Sequence, residues 1–220
     1  MTQLENAGSQ FQRLVTIMDT LRSPGGCPWD GEQTHESLLR YLIEEAYEVV
    51  EAIEASAGID RALLKEELGD VLLQVVFHSR VAEETPAEQG GFDIVQVLTA
   101  LNDKLERRHP HVFGDEEAVT GDDVLTRWDE LKKKEKPERT GPLDGIPPHL
   151  PALALAEKTL SKASKAGLLD PEEMGAGTSF TTEEELGEHL LTLVAATKSR
   201  GLDAERALRS ATRKLIDQHS

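Results

Sequence analysis

Apolar residues recur every three or four positions along most of the chain, which is the spacing of one face of an α-helix. The first such segment contains Phe11, Leu14, Val15, Met18 and Leu21. It predicts a helix of about three turns, and the turn residues from Pro24 onward mark its end and begin a loop. Strand-like alternation is scarce along the chain. The pattern therefore predicts an all-α fold of the helical-bundle type.

The longest continuous pattern runs from Leu38 to Arg80 and predicts two successive helices. The apolar stripe of the first helix consists of Leu39, Leu42, Ile43, Ala46, Val49, Val50 and Ile53. At about 100° per residue, Glu45 falls at the edge of this stripe, and Glu44 and Glu48 fall further round. Three carboxylates therefore share one side of the helix, next to its predicted packing face.

The second helix of this pattern carries a narrow polar stripe on an otherwise apolar surface. Glu67, Asp70, Gln74 and His78 stand at i, i+3, i+7 and i+11. The apolar remainder consists of Leu64, Leu68, Val71, Leu72, Leu73, Val75, Val76 and Phe77. We therefore expect a largely buried helix whose acidic residues face an interior or a cleft.

One interpretation of these acidic residues is an ordinary solvated face on each helix. It accounts well for Glu51 and Glu54, but poorly for Glu67 and Asp70, because a carboxylate on a mostly apolar helix is costly without a compensating charge or donor. Four or five carboxylates that converge from two helices require a divalent cation. Oxygen ligands alone favour Mg²⁺ or Mn²⁺ over zinc, so the pattern favours a Mg²⁺ site that Mn²⁺ can also occupy.

A third helix is predicted from Ile94 to Arg108, with Asp93 as its N-cap. Lys104 and Arg108 stand four residues apart on one face near its end. Two interpretations fit them: a solvated helix C-terminus, where cations are favourable, or cationic donors for a bound anion. His109 and His111 follow, and the proline between them favours packing in a turn over a metal pair.

Charge and length narrow the possible functions. The 220 residues include 41 Asp and Glu against 24 Lys and Arg, a net charge of −17. This balance argues against a general nucleic-acid or anionic-membrane binder. No apolar run approaches the roughly 20 residues of a membrane span, and residues 1–22 lack a signal-peptide pattern, so we expect a cytoplasmic protein. The single Cys27 predicts neither a disulfide nor a zinc site.

Turn residues in the second half of the chain indicate two domains. The segment 137–151 consists largely of such turn residues, which predicts a linker. We therefore predict a domain over 1–136, which ends in a fourth helix from Val124 to Lys136 that contains Trp128, and a smaller domain over 152–220.

The smaller domain repeats part of the larger one. EELGEHLLTLV, from Glu184 to Val194, matches EELGDVLLQVV, from Glu66 to Val76, at seven of eleven positions, which indicates an ancient duplication. Glu188 replaces Asp70, and Thr182 lies only 15 positions after Gly167, which is too short a distance for a counterpart of the first acidic helix. We therefore predict a degenerate repeat with a packing or assembly role.

The two acidic motifs resemble those of a known family. EEAYE, from Glu44 to Glu48, is followed after eighteen residues by ELGD, from Glu67 to Asp70. This arrangement resembles the EExxE…ExxD signature of MazG-type nucleoside triphosphate pyrophosphohydrolases. The flanking GGCPWDGEQTHESL and LNDKLERRHPHVFG are also similar to that family. The likeness covers roughly residues 10 to 136, and the two motifs at this spacing with both flanks make it specific.

The resemblance implies Mg²⁺-dependent attack of water on the α-phosphorus of a nucleoside triphosphate, which gives the monophosphate and pyrophosphate. It also implies a homodimer in which a second subunit covers part of the site. The expected metal ligands are Glu45, Glu48, Glu67 and Asp70.

Glu44 is then the candidate for orienting or deprotonating the water. Lys104 and Arg108 are expected to hold the β- and γ-phosphates. Trp29 and Trp128 have two interpretations each: packing onto the core, or lining the nucleotide pocket.

Two alternatives stay open at this point. The first is a base-selective relative that acts on dUTP, dCTP or phosphoribosyl-ATP. The second is a non-catalytic helical interaction module that keeps an acidic Mg²⁺ site. The complete set of five acids, together with Lys104 and Arg108, speaks against the second alternative.

Overall fold

The computed structural model describes residues 2–114, 141–175 and 179–219, together with 120, 124, 131, 135 and 177. The described residues form ten α-helices and one 3₁₀ turn, with no β-strand among them, which confirms the all-α prediction. No helix in this part of the chain combines the length and apolar character that a membrane crossing requires.

Contacts divide the chain into two compact units, Met1–Ala118 and Val119–Ser220. This division lies before the predicted boundary at 136. The assignment of 1–136, 137–151 and 152–220 to a domain, a linker and a second domain stays a prediction. Most of the fourth predicted helix, including Trp128, lies outside the described residues.

Six helices build the first unit. They are α1 (Gln3–Arg22), α2 (Pro28–Glu32), α3 (His35–Ile53), α4 (Arg61–Ala82), α5 (Ile94–Arg108) and α6 (Pro110–Phe113), with the 3₁₀ turn Ala87–Gln89 between α4 and α5. The predicted bounds of α5 are confirmed. α1 is longer than predicted, because a capping box between Thr2 and Glu5 begins it well before its first apolar residue. α2 was expected to be loop, and Pro28 at its first position starts it.

The core of the first unit lies where α1, α3 and α4 meet. Its buried centre consists of Met18, Leu38, Val76 and Phe77. α3 and α4 make the most extensive helix contact in the described chain. Thr34 caps α3 as predicted, with its hydroxyl accepting a hydrogen bond from the amide of Ser37.

The packing face of α3 differs from the predicted one. Its buried residues are Leu38 and Ala52, whereas Leu39 is 54% exposed and Ile43 is similarly exposed. The inner face is therefore turned by about a quarter of a circumference, and Glu45 lies within it rather than at its edge. The prediction was wrong because periodicity locates an apolar stripe without showing which neighbour covers it.

α4 is also less buried than its composition predicts. Leu68, Leu72 and Val75 are exposed, while Glu67, Gln74 and Ser79 are buried. The helix thus turns polar side chains inward and leaves an apolar stripe outside. An amphipathic pattern alone would have placed these residues the other way round.

Four helices build the described part of the second unit: α7 (Ala152–Lys165), α8 (Pro171–Met174), α9 (Glu183–Ser199) and α10 (Ala204–Gln218). α7 and α10 pack together around Leu155, Thr159 and Ala163. α9 contacts α10 and has no buried residue among those described. Among the described residues between α7 and α9, the four-residue α8 is the one helix, so no counterpart of α3 precedes α9 there.

Candidate metal centre

Antiparallel packing of α3 on α4 brings three predicted ligands together. Glu45, Glu67 and Asp70 each offer a carboxylate oxygen, and these oxygens all lie within 4.8 Å of one another. Glu67 and Asp70 are three residues apart and share one face of α4. Glu45 lies on the inner face of α3 opposite them. The sequence prediction that the two acidic motifs meet is consistent with this geometry.

Burial raises the proton affinity of this cluster. Glu67 is only 7% exposed, and burial, followed by the charge of Glu48, raises its pKa above the ordinary value. Burial also raises the pKa of Glu45 to about 7, helped by a hydrogen bond with Glu48 and by the charges of Glu48, Asp70 and Glu67. Both shifts have the same causes, which are the loss of water on burial and the repulsion between neighbouring carboxylates.

Glu48 and Glu44 occupy different positions relative to the three clustered acids. Glu48 is exposed at the surface, and its charge contributes to the raised pKa of Glu45 and of Glu67. Glu44 is exposed, about 100° round the helix from Glu45. The site is thus a core of three carboxylates with Glu48 beside it and Glu44 at the surface.

The donor set fits a hard divalent cation. Carboxylate oxygens are the ligands that Mg²⁺ and Mn²⁺ prefer, and a cation would offset the repulsion that raises the pKa of Glu45 and Glu67. Glu45, Glu67 and Asp70 could hold such an ion, and Glu48 could join them from the rim.

Beyond the carboxylates, the same stripe of α4 continues into buried polar groups. Gln74 is 5% exposed, and its side-chain Oε1 has no hydrogen-bond partner among the described residues. His78 Nδ1 lies 2.8 Å from Nδ1 of His35, whereas its buried Nε2 has no such partner in this part of the chain. The i, i+7, i+11 spacing marked Gln74 and His78, but no local signal indicated the contact with His35, 43 residues away.

An aromatic pair lies on the α3 side of this region. Tyr41 stands one turn before Glu45 on α3, and Trp29 in α2 meets it edge to face, with ring centroids 5.9 Å apart. Trp29 is 50% exposed, so the contact leaves half of this side chain accessible. Both interpretations of Trp29, packing and lining a pocket, are compatible with this position.

Lys104 and Arg108 lie half-buried in the second half of α5, a helix that packs on α4. Their role at the phosphates stays a prediction. His109 and His111 are next to each other at the turn after α5, with ring centroids 5.6 Å apart, and His109 Nδ1 hydrogen-bonds the carbonyl of Leu105. This turn accounts for His109 by packing rather than by metal binding.

The repeated motif in the second unit has a different environment. Glu185 is exposed, and its carboxylate accepts hydrogen bonds from the amide and the hydroxyl of Thr181, each at 2.8 Å. These bonds lower the pKa of Glu185 below its ordinary value. Glu188 is also exposed, on the same helix. Glu185 therefore interacts with the start of its own helix.

The described helices and the carboxylates together define an all-α protein with an acidic cluster between two antiparallel helices. A family model described as "MazG nucleotide pyrophosphohydrolase domain" matches residues 33–113, a range that contains both acidic motifs and α5. The chain is 42% identical to the nucleoside triphosphate pyrophosphohydrolase/pyrophosphatase MazG of Thermotoga maritima, with 98% of this chain and 86% of that protein covered.

Two further comparisons gave matches. The chain is 40% identical to the nucleoside triphosphate pyrophosphohydrolase of Escherichia coli K12, over 94% of this chain and 84% of that protein. It is also similar to the crystal structure of a mazG-related protein from Thermotoga maritima, at 31% identity and a TM-score of 0.45, over 56% of this chain and 98% of that one. The chain belongs to the MazG family.

Proposed function

We propose that the first unit hydrolyses nucleoside triphosphates to nucleoside monophosphates and pyrophosphate. The observation that carries this proposal is the cluster of Glu45, Glu67 and Asp70, whose oxygens lie within 4.8 Å of one another around the buried Glu67. Family membership supports it, because the relatives from Thermotoga maritima and Escherichia coli are named for this activity.

Magnesium is the proposed cofactor, with Mn²⁺ as a substitute. Glu45, Glu48, Glu67 and Asp70 would hold it, and their oxygen-only donor set is the basis for this choice. When bound, the ion neutralises phosphate charge, polarises the α-phosphoryl oxygen and lowers the pKa of a bound water.

The remaining roles fall to residues around the carboxylates. Glu44, exposed beside them, would orient or deprotonate the attacking water. The water oxygen forms a bond to the α-phosphorus, the bond from that phosphorus to the bridging oxygen of the β-phosphate breaks, and pyrophosphate leaves with that oxygen. Lys104 and Arg108 would hold the β- and γ-phosphates through charge-assisted hydrogen bonds.

A homodimer is the proposed assembly. Exposed apolar residues line α3 and α4 outside their contact with each other: Leu39, Ile43, Val50, Ile53, Leu68, Leu72 and Val75. Each set lies about 100° from the inner face of its helix, and because the helices are antiparallel, both sets point to the same side. A continuous apolar surface of this kind is typical of an interface, and a second copy would cover it.

Sedimentation velocity tests the dimer. Ile43→Glu should convert the dimer to monomer, whereas Leu191→Glu, at an exposed leucine of α9 in the second unit, should leave the sedimentation coefficient unchanged. A wild-type chain that sediments as a monomer, or equal effects of both changes, would refute an interface on α3 and α4.

We further propose that residues 152–220 form a non-catalytic domain. This proposal rests on the exposed acids of α9 and on the four-residue α8 in the place of a second acidic helix.

A product assay tests the proposed function. The full chain is incubated with Mg²⁺ and a panel of ribo- and deoxynucleoside triphosphates, and the products are separated by chromatography. Monophosphate and pyrophosphate are expected from several of the nucleotides, and neither product is expected after Asp70→Asn. Diphosphate and orthophosphate as products would refute the mechanism. Turnover confined to dUTP, dCTP or phosphoribosyl-ATP would replace it with a base-selective activity.

A further inference from the structure

We propose that Gln74 is a specificity-determining residue that hydrogen-bonds the nucleobase of the substrate, and that His78 borders the same subsite. The subsite lies in the seam between α3 and α4, next to the carboxylates. The identity of the ligand as a nucleotide rests on the proposed function. The position of a polar subsite rests on the structure of the seam itself.

The helical phase of α4 directs Gln74 into this seam. Glu67 and Asp70 meet Glu45 of α3 at one end of the stripe, and His78 meets His35 of α3 at the other. Gln74 lies between Asp70 and His78 on the same stripe. Its side chain therefore points toward α3, as do those of Asp70 and His78 on either side of it.

Two buried polar atoms in this seam lack hydrogen bonds. Oε1 of Gln74 and Nε2 of His78 are both buried without a hydrogen-bond partner among the described residues. A buried polar group that makes no hydrogen bond costs on the order of 1–3 kcal/mol, and such groups in native proteins usually have a bound partner. Two of them, one helical turn apart, indicate a polar ligand at this place.

The spacing along α4 suits a nucleoside that extends from the carboxylates. With a rise of about 1.5 Å per residue, Gln74 lies roughly 6 Å and His78 roughly 12 Å beyond Asp70 along the helix axis. A nucleoside extends over such a distance from its 5′-phosphate to the far edge of its base. An α-phosphate near Asp70 therefore places the base beside Gln74 and His78.

The opposite wall of the seam supplies aromatic surface at the same level. Glu45 faces Asp70 and His35 faces His78, so Tyr41, between Glu45 and His35 on α3, lies level with Gln74. Trp29 contacts Tyr41 edge to face and is half exposed. Proteins recognise a base by an aromatic face for stacking together with polar groups for its edge, and this seam combines the two.

The amide of Gln74 determines which base edge it can contact. Its Oε1 accepts and its Nε2 donates, so it pairs with an edge that presents a donor next to an acceptor. Because Nδ1 of His78 is engaged by His35, Nε2 is the ring atom of His78 left to hydrogen-bond a ligand.

The repeat in the second unit shows the same helix position without such a group. Thr192 stands where Gln74 stands in the first copy, and its hydroxyl donates to the carbonyl of Glu188 at 2.8 Å within its own helix. The side chain is thereby satisfied without a ligand. The buried Gln74 Oε1 without a hydrogen-bond partner among the described residues therefore lies in the first unit, which also contains the clustered carboxylates.

Turnover by Gln74→Leu tests this inference, with Gln10→Leu on exposed α1 as the matched control. Values of kcat/KM are measured for a panel of nucleoside triphosphates and for ribose 5-triphosphate, which has no base. The spread of kcat/KM across the bases should shrink at least tenfold in Gln74→Leu and stay unchanged in Gln10→Leu. Ribose 5-triphosphate should be hydrolysed equally by all three proteins.

Three outcomes would overturn the inference: a wild-type protein without base preference, an unchanged spread in Gln74→Leu, or an equal loss for ribose 5-triphosphate and the nucleotides. Calorimetric binding of the same panel with Ca²⁺ in place of Mg²⁺ separates this inference from the proposed function. If the wild type binds with base preference but releases no pyrophosphate, the proposed function fails. A smaller spread of Kd in Gln74→Leu would still support base recognition, and an unchanged spread would refute it.

Discussion

Two helices of this chain contain the same four residues, EELG, in different surroundings. α4 contains EELGDVLLQVV and α9 contains EELGEHLLTLV. In α4 the second glutamate, Glu67, is buried with a raised pKa. In α9 its counterpart Glu185 is exposed, and hydrogen bonds from Thr181 lower its pKa. The chemistry of the carboxylate is therefore set by its surroundings rather than by the motif.

The difference between the two helices is the neighbour of each. α4 packs along α3, which adds Glu45 to the cluster and excludes water from it. α9 follows only the short α8, and its acids stay hydrated. An ELGD-type helix without its EExxE partner thus keeps its fold and loses the cluster. Neither motif should be taken as a site without the other.

The largest expected effect comes from replacing each of the two equivalent glutamates, Glu67 and Glu185, with glutamine in separate variants. Glu67→Gln should reduce the rate of pyrophosphate release by more than about 100-fold. Substitution of a residue that hydrogen-bonds a metal ligand typically lowers metal affinity or activity about 10- to 100-fold, and loss of a proposed ligand itself should cost more. Glu185→Gln should leave the rate unchanged. Steady-state assays with Mg²⁺ make the measurement, and circular dichroism confirms that both variants fold. Equal losses in the two variants would contradict the assignment of the site to the first unit.

The pH dependence of stability should be the next largest difference between the acidic cluster of the first unit and Glu185 of the second. In metal-free protein the pKa of Glu45 is raised from 4.5 to about 7, so the folded state holds a proton that the unfolded chain releases. This group therefore lowers the free energy of unfolding as pH rises from about 4.5 to 7. Glu185, whose pKa is lowered, contributes stability above its unfolded pKa that is lost as pH falls.

Urea unfolding in EDTA across this pH range measures both contributions. Glu45→Gln should flatten the decrease toward neutral pH, and added Mg²⁺ should restore stability to the wild type there. Glu185→Gln should instead reduce the loss of stability toward acid pH. If Glu45→Gln left the pH dependence unaltered, the raised proton affinity of the cluster would be refuted.

A smaller effect is expected at the helix starts. The Oδ1 atom of Asp60 accepts hydrogen bonds from the amides of Ala62 and Leu63 at 3.0 and 3.1 Å. Asp60→Ala should therefore cost about 1 kcal/mol of stability, whereas Asp60→Asn should cost much less. Thr182→Ala, at the start of α9, should cost a similar amount. Chemical denaturation measures both, and a larger loss at α9 would show that its stability depends more on its cap.

Removing residues 140–220, which make up most of the second unit, should have the smallest effect on catalysis. A chain that ends at Arg139 is expected to keep its kcat/KM for nucleoside triphosphates, because the clustered carboxylates all lie in the first unit. Circular dichroism and turnover are measured on the same preparation. Loss of activity in a truncated chain that remains folded would contradict a non-catalytic second unit.

Local signals in the sequence were sufficient to predict much of the fold. Asp93 and the apolar spacing after it gave α5 its observed bounds, Ile94–Arg108, and Thr34 was recognised as the cap of α3. These features depend on residues within one or two helical turns. The start of α1 was missed although Thr2 and Glu5 form a capping box, because the segment after them has no apolar periodicity.

Features that depend on distant parts of the chain were harder to predict. The stripe of Leu39 and Ile43 was expected to pack against the core and is exposed, since periodicity does not identify the covering surface. The meeting of Glu45 with Glu67 and Asp70 was predicted only through the spacing of two motifs and a family resemblance. The contact of His35 with His78 joins residues with no shared pattern, and it was not predicted.

Hydrolysis in ¹⁸O-labelled water tests the central claim most directly. The full chain is incubated with Mg²⁺ and a nucleoside triphosphate, and the masses of the products are measured by mass spectrometry. Attack at the α-phosphorus predicts ¹⁸O in the nucleoside monophosphate and none in the pyrophosphate, with no product from Glu67→Gln and normal product from Glu185→Gln. Label in pyrophosphate or orthophosphate, or normal product from Glu67→Gln, would contradict it.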